Sequence, residues 1–141
     1  HLPGYTPALR PRVVTETVRH DTDDPAIWID RADPARSLVL GTDKDTDGAL
    51  YAFDLRGRVV RSVPGLRRPN NVDLATGIAL GGRTVDLAVV TEREAKRLRV
   101  FTLPDLAPAD RGDLVVFDGD EARAPMGIAL YRRPRDGALF A

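Results

Sequence analysis

Short apolar runs alternate with Gly, Pro and Asp along the whole chain, and none keeps a helical hydrophobic period over the roughly ten residues that a helix needs. The pattern therefore predicts an all-β protein. The predicted strands are 13–18, 26–29, 37–41, 49–55, 59–63, 72–80, 85–91, 98–103, 114–117 and 127–131, with another beginning at residue 138. The stretch 92–97 is predicted to be a hairpin loop, because it is too short for more than one turn of helix.

The chain also repeats itself. "LYAFDL" and "LRVFTL" begin 48 residues apart, at Leu50 and Leu98, and "SLVLGT" and "DLAVVT" end 49 residues apart, at Thr42 and Thr91. Successive units begin with "DPAI", "PNNV" and "PMGI", near Pro25, Pro69 and Pro125. A unit of about four short strands that repeats every 40 to 50 residues is typical of a β-propeller blade. An open sandwich of similar strands is the alternative.

The repeat predicts a partial propeller domain over residues 1–141, with blade one at about 24–64, blade two at about 69–118 and the start of a third from about 125. The first residue is His1, and the apolar run 137–141 closes the sequence, which suggests a segment of a longer chain. Blades bury their faces against neighbouring blades, so two and a half blades cannot close a ring. We expect the isolated chain to self-associate through exposed blade edges.

Composition narrows the function classes. Lys and Arg number 21, and so do Asp and Glu, so no overall field favours nucleic acid or an anionic membrane as partner. No stretch approaches the roughly 20 apolar residues that cross a bilayer. Cysteine is absent and only 2 histidines are present, which argues against thiol nucleophiles, thiolate or His-rich zinc sites and a Ser-His-Asp triad. Any site must rest on local groups of polar residues.

The stretch "DKDTDG" at 43–48 has acids at its first, third and fifth places and glycine at its sixth, as in the opening of an EF-hand calcium loop. An EF-hand also needs a helix on each side, whereas "SLVLGT" and "ALYAFDL" are strand-like. We therefore predict a hairpin between the second and third strands of blade one. A calcium ion bound at this turn and a solvated Asp-Gly turn both remain open interpretations.

Two oxygen-rich clusters occupy equivalent places in the repeat. The first, in "HDTDDPAIWID", contains Asp21, Asp23 and Asp24. The second, in "RPNNVDL", contains Asn70, Asn71 and Asp73. Carboxylate and amide oxygens, together with backbone carbonyls, are ligands of hard cations such as Ca²⁺. Turn caps are the alternative, but both clusters fall at the start of an innermost strand, at the axial end where propellers build their sites.

Two cations also correspond under the repeat. Lys44 ends the second strand of blade one, and Arg93 ends the second strand of blade two. The repeat therefore places them at nearly the same level, near the loops that hold the acids. Cations beside calcium-type ligands would suit phosphate, because arginine offers a fork of donors and lysine a compact charge. Scattered surface cations, of which the chain has 21, are the alternative.

The segments "DDPAIW", "LVLGTDK", "GALYAFDL", "NNVDL" and "VDLAVVTER", in this order and spacing, resemble the β-propeller phytases of bacteria, also called alkaline or calcium-dependent phytases. The resemblance runs from about Glu16 to the end but covers only the first part of a six-bladed fold. It implies a phosphomonoesterase acting on phytate, 3-phytase-like, with Ca²⁺ as cofactor and a secreted or periplasmic location. A chain without the later blades would then be inactive alone.

The resemblance also implies ligands for calcium. Asp24, with the carbonyls of Pro25 and Val72, would hold a structural calcium that ties the first two blades together. Asp23 would face the catalytic calcium cluster. Glu16 would do so too, although its spacing from "DDP" is shorter than the family pattern.

Lys44 and Arg93 would be the catalytic, substrate phosphate-binding residues of the family. The chain departs from the family near them. Glu92 stands where the family usually has Asn, which puts a carboxylate next to Arg93, and Met126 replaces an expected site tyrosine. These departures favour an alternative, a non-catalytic propeller that binds calcium or phosphate or that serves as an accessory incomplete phytase domain.

Overall fold

The regular structure consists of short antiparallel strands. The computed structural model describes residues 9–141, so the first eight residues of the predicted domain, including His1, lie outside the described part. The strands are β1 (Thr22–Trp28), β2 (Leu38–Asp43), β3 (Gly48–Phe53), β4 (Val59–Leu66), β5 (Pro69–Leu80), β6 (Arg83–Glu92), β7 (Arg97–Leu103), β8 (Leu114–Val115), β9 (Tyr131–Arg132) and β10 (Leu139–Phe140). A single 3-10 turn, Pro34–Arg36, is the other regular element within 9–141.

The strands form two similar sheets. Strands β1 to β4 pair antiparallel in chain order, β5 to β8 do the same, and β9 pairs with β10. This confirms the predicted fold class: the described chain is all-β, without an α-helix, and its four-stranded antiparallel sheets are those of a β-propeller fragment. No helix in the described range is long and apolar enough to cross a membrane.

Two strand predictions were wrong. Residues 13–18 form irregular chain, because backbone hydrogen bonding there is limited to Glu16, whose N–H donates to the Gly57 carbonyl (2.7 Å). Residues 127–130 have no ladder partner within the described range, and a strand begins only at Tyr131. The predicted hairpin loop at 92–97 is confirmed, since β6 and β7 are joined by a turn.

The core lies where the first sheet packs against β5 and the strands behind it. Its fully buried members include Leu40, Leu50, Val90 and Phe101. Trp28 is 7% exposed and belongs to the same cluster, and its Nε1 donates to Asp86 Oδ2 of the second sheet (2.7 Å). Apolar packing and this charge-assisted hydrogen bond therefore both contribute to holding the two sheets together.

A buried threonine links each sheet to the next part of the chain. Thr42 is fully buried; its Oγ1 accepts from the Asp24 N–H (3.1 Å) and donates to the Asn70 carbonyl (2.8 Å). Thr91 repeats the arrangement and donates to the Met126 carbonyl (2.8 Å). The hydroxyl thus serves as acceptor inside one sheet and donor to the next, which fixes the start of β5 against the start of β1.

The hairpin 44–47 joins β2 and β3, as the "DKDTDG" stretch predicted. Its glycine, Gly48, is needed for close approach: a Cβ there would lie 2.5 Å from Pro69 Cδ and 2.6 Å from the Asp45 carbonyl oxygen. Real Cβ atoms do not come so near their neighbours, so any side chain would push the hairpin away from β5. Gly48 is therefore required for the close packing of the hairpin against β5. The flanking strands exclude an EF-hand, which has a helix on each side of its loop.

Candidate functional site

The predicted site residues other than Glu16 gather at one end of the two sheets. Thr22 pairs with Asp43 and Pro69 pairs with Glu92, so the starts of β1 and β5 lie beside the ends of β2 and β6. We call this end the loop face. It comprises the hairpin loops 44–47 and 93–96, the link 67–68 that precedes β5, and residues 20–25.

A buried carboxylate ends the second strand of each sheet. Asp43 is 1% exposed and accepts the backbone N–H groups of His20 (3.2 Å) and Asp21 (2.7 Å). Glu92 is 0% exposed and accepts the Arg67 N–H (2.7 Å). A charge-assisted bond of this kind holds the chain as it enters each first strand. Asp43 is therefore committed to the backbone rather than available to an ion.

Lys44 follows Asp43 and lies among the acids of the first cluster. Its N–H donates to the Asp21 carbonyl (2.7 Å), and its ammonium Nζ lies 2.9 Å from Asp23 Oδ1 and 3.9 Å from Asp21 Oδ2. The side chains of Lys44 and Asp23 are 27% and 28% exposed. The ion pair with Asp23 holds the Lys44 ammonium on the loop face. An ammonium has three N–H donors, so donors remain free for a further acceptor.

Arg93 occupies the corresponding place one sheet later. Its N–H donates to the Arg68 carbonyl (3.0 Å), and its half-buried side chain makes no ion pair with any carboxylate of residues 9–141. The neighbouring Glu92 does not neutralise it, because both Glu92 oxygens bind the Arg97 guanidinium. This hydrogen bond raises the pKa of Arg97, with burial acting in the opposite direction.

The residues assigned to a structural calcium lie where the two sheets meet. Asp24 Oδ2 accepts the N–H of buried Val72 (3.0 Å), so the carboxylate already bridges β1 and β5. Pro25 pairs with Gly41 after a register shift in β1. A proline cannot donate to the ladder, which accounts for the irregularity at this point. Asp24, Pro25 and Val72 are thus brought together where β1 meets β5.

Asn70, a member of the second predicted oxygen-rich cluster, adds an oxygen that the family resemblance did not assign to the structural calcium. It is 5% exposed, its carbonyl accepts from Thr42, and its side-chain Oδ1 is buried without a hydrogen-bond partner in the described chain. A buried acceptor without a donor is costly, and a cation would satisfy it.

The described residues hold no group of three or more His, Asp or Glu that could bind a metal. Carboxylate, amide and carbonyl oxygens nevertheless fit a hard cation such as Ca²⁺.

Glu16 does not join this group. Its Oε2 accepts the Val59 N–H (2.6 Å) and its N–H donates to the Gly57 carbonyl. These residues belong to the hairpin between β3 and β4, at the end of the first sheet opposite the loop face, since Phe53 pairs with Val59 there. The carboxylate caps the start of β4 and lies one strand length from Lys44.

The remaining acids of "DKDTDG" have protein partners. Asp45 Oδ1 accepts the Asp47 N–H (3.0 Å), as in an Asx turn, and Asp47 Oδ2 lies 2.7 Å from Arg19 Nη1. These contacts are those of an Asp-Gly turn whose acids are held by protein donors. Lys44 pairs instead with Asp23 of the preceding segment.

A separate cavity of about 240 Å³ lies beside the loop face and contains no charged side chain. It is lined mainly by apolar residues between the second sheet and the third unit, among them Leu98, Phe117, Pro125 and Ile128. Such a surface suits packing against further apolar chain rather than an anion. The cations of the loop face lie on an open surface outside this cavity.

Comparison with known proteins shows the family of the chain. The model of the family described as Phytase matches residues 9–114. The curated 3-phytase of Bacillus subtilis (strain 168) is 30% identical over 127 residues, which cover 84% of this chain and 31% of that protein. The chain therefore spans about a third of the length of this relative. On these matches, the chain belongs to the phytase family.

Proposed function

We propose that this chain is the N-terminal part of a calcium-dependent phosphomonoesterase that acts on phytate, as the name of the 3-phytase relative describes. The observation that carries the proposal is the matched pair of Lys44 and Arg93, each placed directly after a buried carboxylate on one face. Both cations retain donors for an incoming anion. A lysine and an arginine together suit the recognition of phosphate, because the guanidinium offers a fork of donors and the ammonium a compact charge.

Lys44 and Arg93 would bind phosphoryl oxygens and stabilise the negative charge that develops during hydrolysis. Asp23 orients the Lys44 ammonium through a 2.9 Å contact, so it contributes to positioning as well as to the electrostatic balance of the face. Arg93 is fixed through its backbone by Arg68 and has no competing carboxylate in the described chain. The Lys44 ammonium and the Arg93 backbone are therefore positioned before substrate arrives.

Asp24, the carbonyls of Pro25 and Val72, and Asn70 Oδ1 would hold a structural Ca²⁺ at the sheet junction. Asp23 would face a second, catalytic Ca²⁺ beside Lys44. When bound, such an ion lowers the pKa of a coordinated water and neutralises phosphoryl charge. We leave Glu16 out of this ligand set, because its carboxylate caps β4 at the opposite end.

The two sheets would be blades one and two, at about 24–64 and 69–118, with a third blade from about 125. Further blades would complete the site, so we propose that the 141-residue chain alone is inactive and self-associates through its open edges. Following the family resemblance, we also propose that the protein is secreted or periplasmic.

The test is phosphate release from phytate by the full-length protein with Lys44→Ala or Arg93→Ala. Loss of a preorganised donor to a developing anion costs roughly 100-fold in kcat. We expect losses of about this size with little change in Tm. Arg56→Ala, at the opposite end in the β3–β4 hairpin, is the matched control and should keep full activity. If both variants release phosphate as fast as the wild type, Lys44 and Arg93 do not have the phosphate-binding roles assigned to them.

Met126, which stands where the resemblance expects a tyrosine, favours a second candidate: a propeller that binds calcium and phosphate without hydrolysis. The same assay separates the two. Phosphate binding by calorimetry, without release of phosphate from phytate, would favour the binding module.

A further inference from the structure

Arg68 lies between the two loops that carry Lys44 and Arg93. Its N–H donates to the Asp45 carbonyl (2.8 Å) in the first hairpin loop, and its carbonyl accepts the Arg93 N–H (3.0 Å) from the second. These two backbone hydrogen bonds place Arg68 between Arg93 and Asp45, the residue that follows Lys44, on the loop face. They join the first sheet to the second.

The backbone of Arg68 is held in an uncommon conformation. Its φ is 54°, in the left-handed region that glycine adopts readily and other residues rarely do. The next residue, Pro69, is fully buried against the first hairpin. Strained positions of this kind concentrate at binding and catalytic sites, where the surrounding structure compensates for them. Because glycine would fit this backbone conformation better, the presence of arginine indicates that its side chain has a function.

The guanidinium of Arg68 is poorly satisfied. Its Nε is buried and has no hydrogen-bond partner among residues 9–141, and the side chain makes no ion pair there. The preceding Arg67 differs, since it is 60% exposed and its Nη2 lies 3.6 Å from Glu94 Oε2. A buried charged donor without an acceptor is unfavourable unless a ligand supplies one. An anion bound beside the Arg68 guanidinium would supply the missing negative charge.

We propose that Arg68 is a third phosphate-binding residue of the loop face, with the terminal Nη–H groups of its guanidinium donating to a phosphoryl oxygen of the substrate. The proposal rests on the function proposed above. Arg93 bonds Arg68 directly, and Lys44 immediately precedes Asp45, which bonds Arg68 on the other side, so three positive charges lie on one face and favour a polyanion. Arg68 thereby acts on substrate affinity, and its loss weakens binding more than it slows the chemical step.

The test uses the full-length protein with Arg68→Gly, Arg68→Ala and Arg68→Lys, and with Arg67→Gly as the matched control. Glycine suits the left-handed backbone, so Arg68→Gly removes the side chain without adding strain and should keep or raise Tm. We expect its KM for phytate to rise about tenfold, with a similar loss of affinity for inorganic phosphate in calorimetry. Arg68→Lys should be intermediate, because it keeps the charge but loses the fork.

Several results would overturn the assignment. If Arg68→Gly matches Arg67→Gly in KM and in phosphate affinity, Arg68 binds no substrate, while phytate hydrolysis by the wild type leaves the proposed function intact. If Arg68→Gly lowers Tm without weakening phosphate binding, the guanidinium pairs with a carboxylate from another part of the protein. If the wild type neither hydrolyses phytate nor binds phosphate, the proposed function and this inference fail together.

Discussion

Thr42→Val tests how the two sheets are joined. The Thr42 hydroxyl is fully buried and makes two hydrogen bonds, accepting from the Asp24 N–H at 3.1 Å and donating to the Asn70 carbonyl at 2.8 Å. Valine has nearly the same shape but leaves both backbone groups without a partner. Each unsatisfied buried group costs about 1–3 kcal/mol, so the free energy of unfolding should fall by roughly 2–5 kcal/mol.

The assay is urea denaturation of the chain, followed by the fluorescence of Trp28, its one tryptophan. With an m-value of about 1–3 kcal/mol per molar urea, the midpoint should drop by at least about 0.7 M. Thr46→Val is the matched control: Thr46 is exposed, its hydroxyl bonds only Glu94, and its loss should cost within about 0.5 kcal/mol. Equal midpoints for the two variants would refute the argument that Thr42 links the sheets.

Three further predictions concern packing, pH and assembly. Gly48→Ala places a Cβ about 2.5 Å from Pro69 Cδ, so it should cost about 2 kcal/mol in the same urea assay; an unchanged midpoint would contradict the close approach. The backbone N–H of Arg58 lowers the pKa of Asp54 below its ordinary value of 3.8, so the stability it contributes is present above that pH and is lost as the pH falls through the folded-state pKa. Asp54→Asn should therefore be less stable than the wild type at pH 7 and converge with it in acid, and a gap independent of pH would argue against this. Sedimentation equilibrium of the isolated chain should show a mass that rises with concentration, whereas a constant monomer mass would exclude self-association.

Hydrophobic patterning located most strands because their apolar positions face a buried core. It misplaced 13–18 for a physical reason: Val13 and Val14 have the composition of a strand, yet they are 49% and 75% exposed and have no ladder partner. Pairing depends on neighbours that are distant in sequence, which local patterning cannot detect. The same limit explains 127–130, which lie opposite no strand of the described chain.

The repeat identified the matching positions of Lys44 and Arg93, because a structural repeat carries equivalent residues to equivalent places. The repeat did not show that Asp43 is a buried acceptor of backbone hydrogen bonds. A usable signal was that the equivalent position, Glu92, is also acidic, and both carboxylates proved to be buried. In the sequence, Arg68 is distinguished only as the second residue of the pair Arg67-Arg68. Its importance rests on its backbone conformation and its unpartnered Nε, neither of which is visible in the sequence.

The central claim is that the loop face belongs to a calcium-dependent phytate hydrolase. The most direct measurement is the release of inorganic phosphate from phytate by the full-length protein, in calcium and in a calcium chelator, with the 141-residue chain measured in parallel. The account predicts release by the full-length protein in calcium only, and none by the isolated chain. Release that persists in chelator would contradict the role of calcium, and no release under either condition would contradict the proposed enzyme.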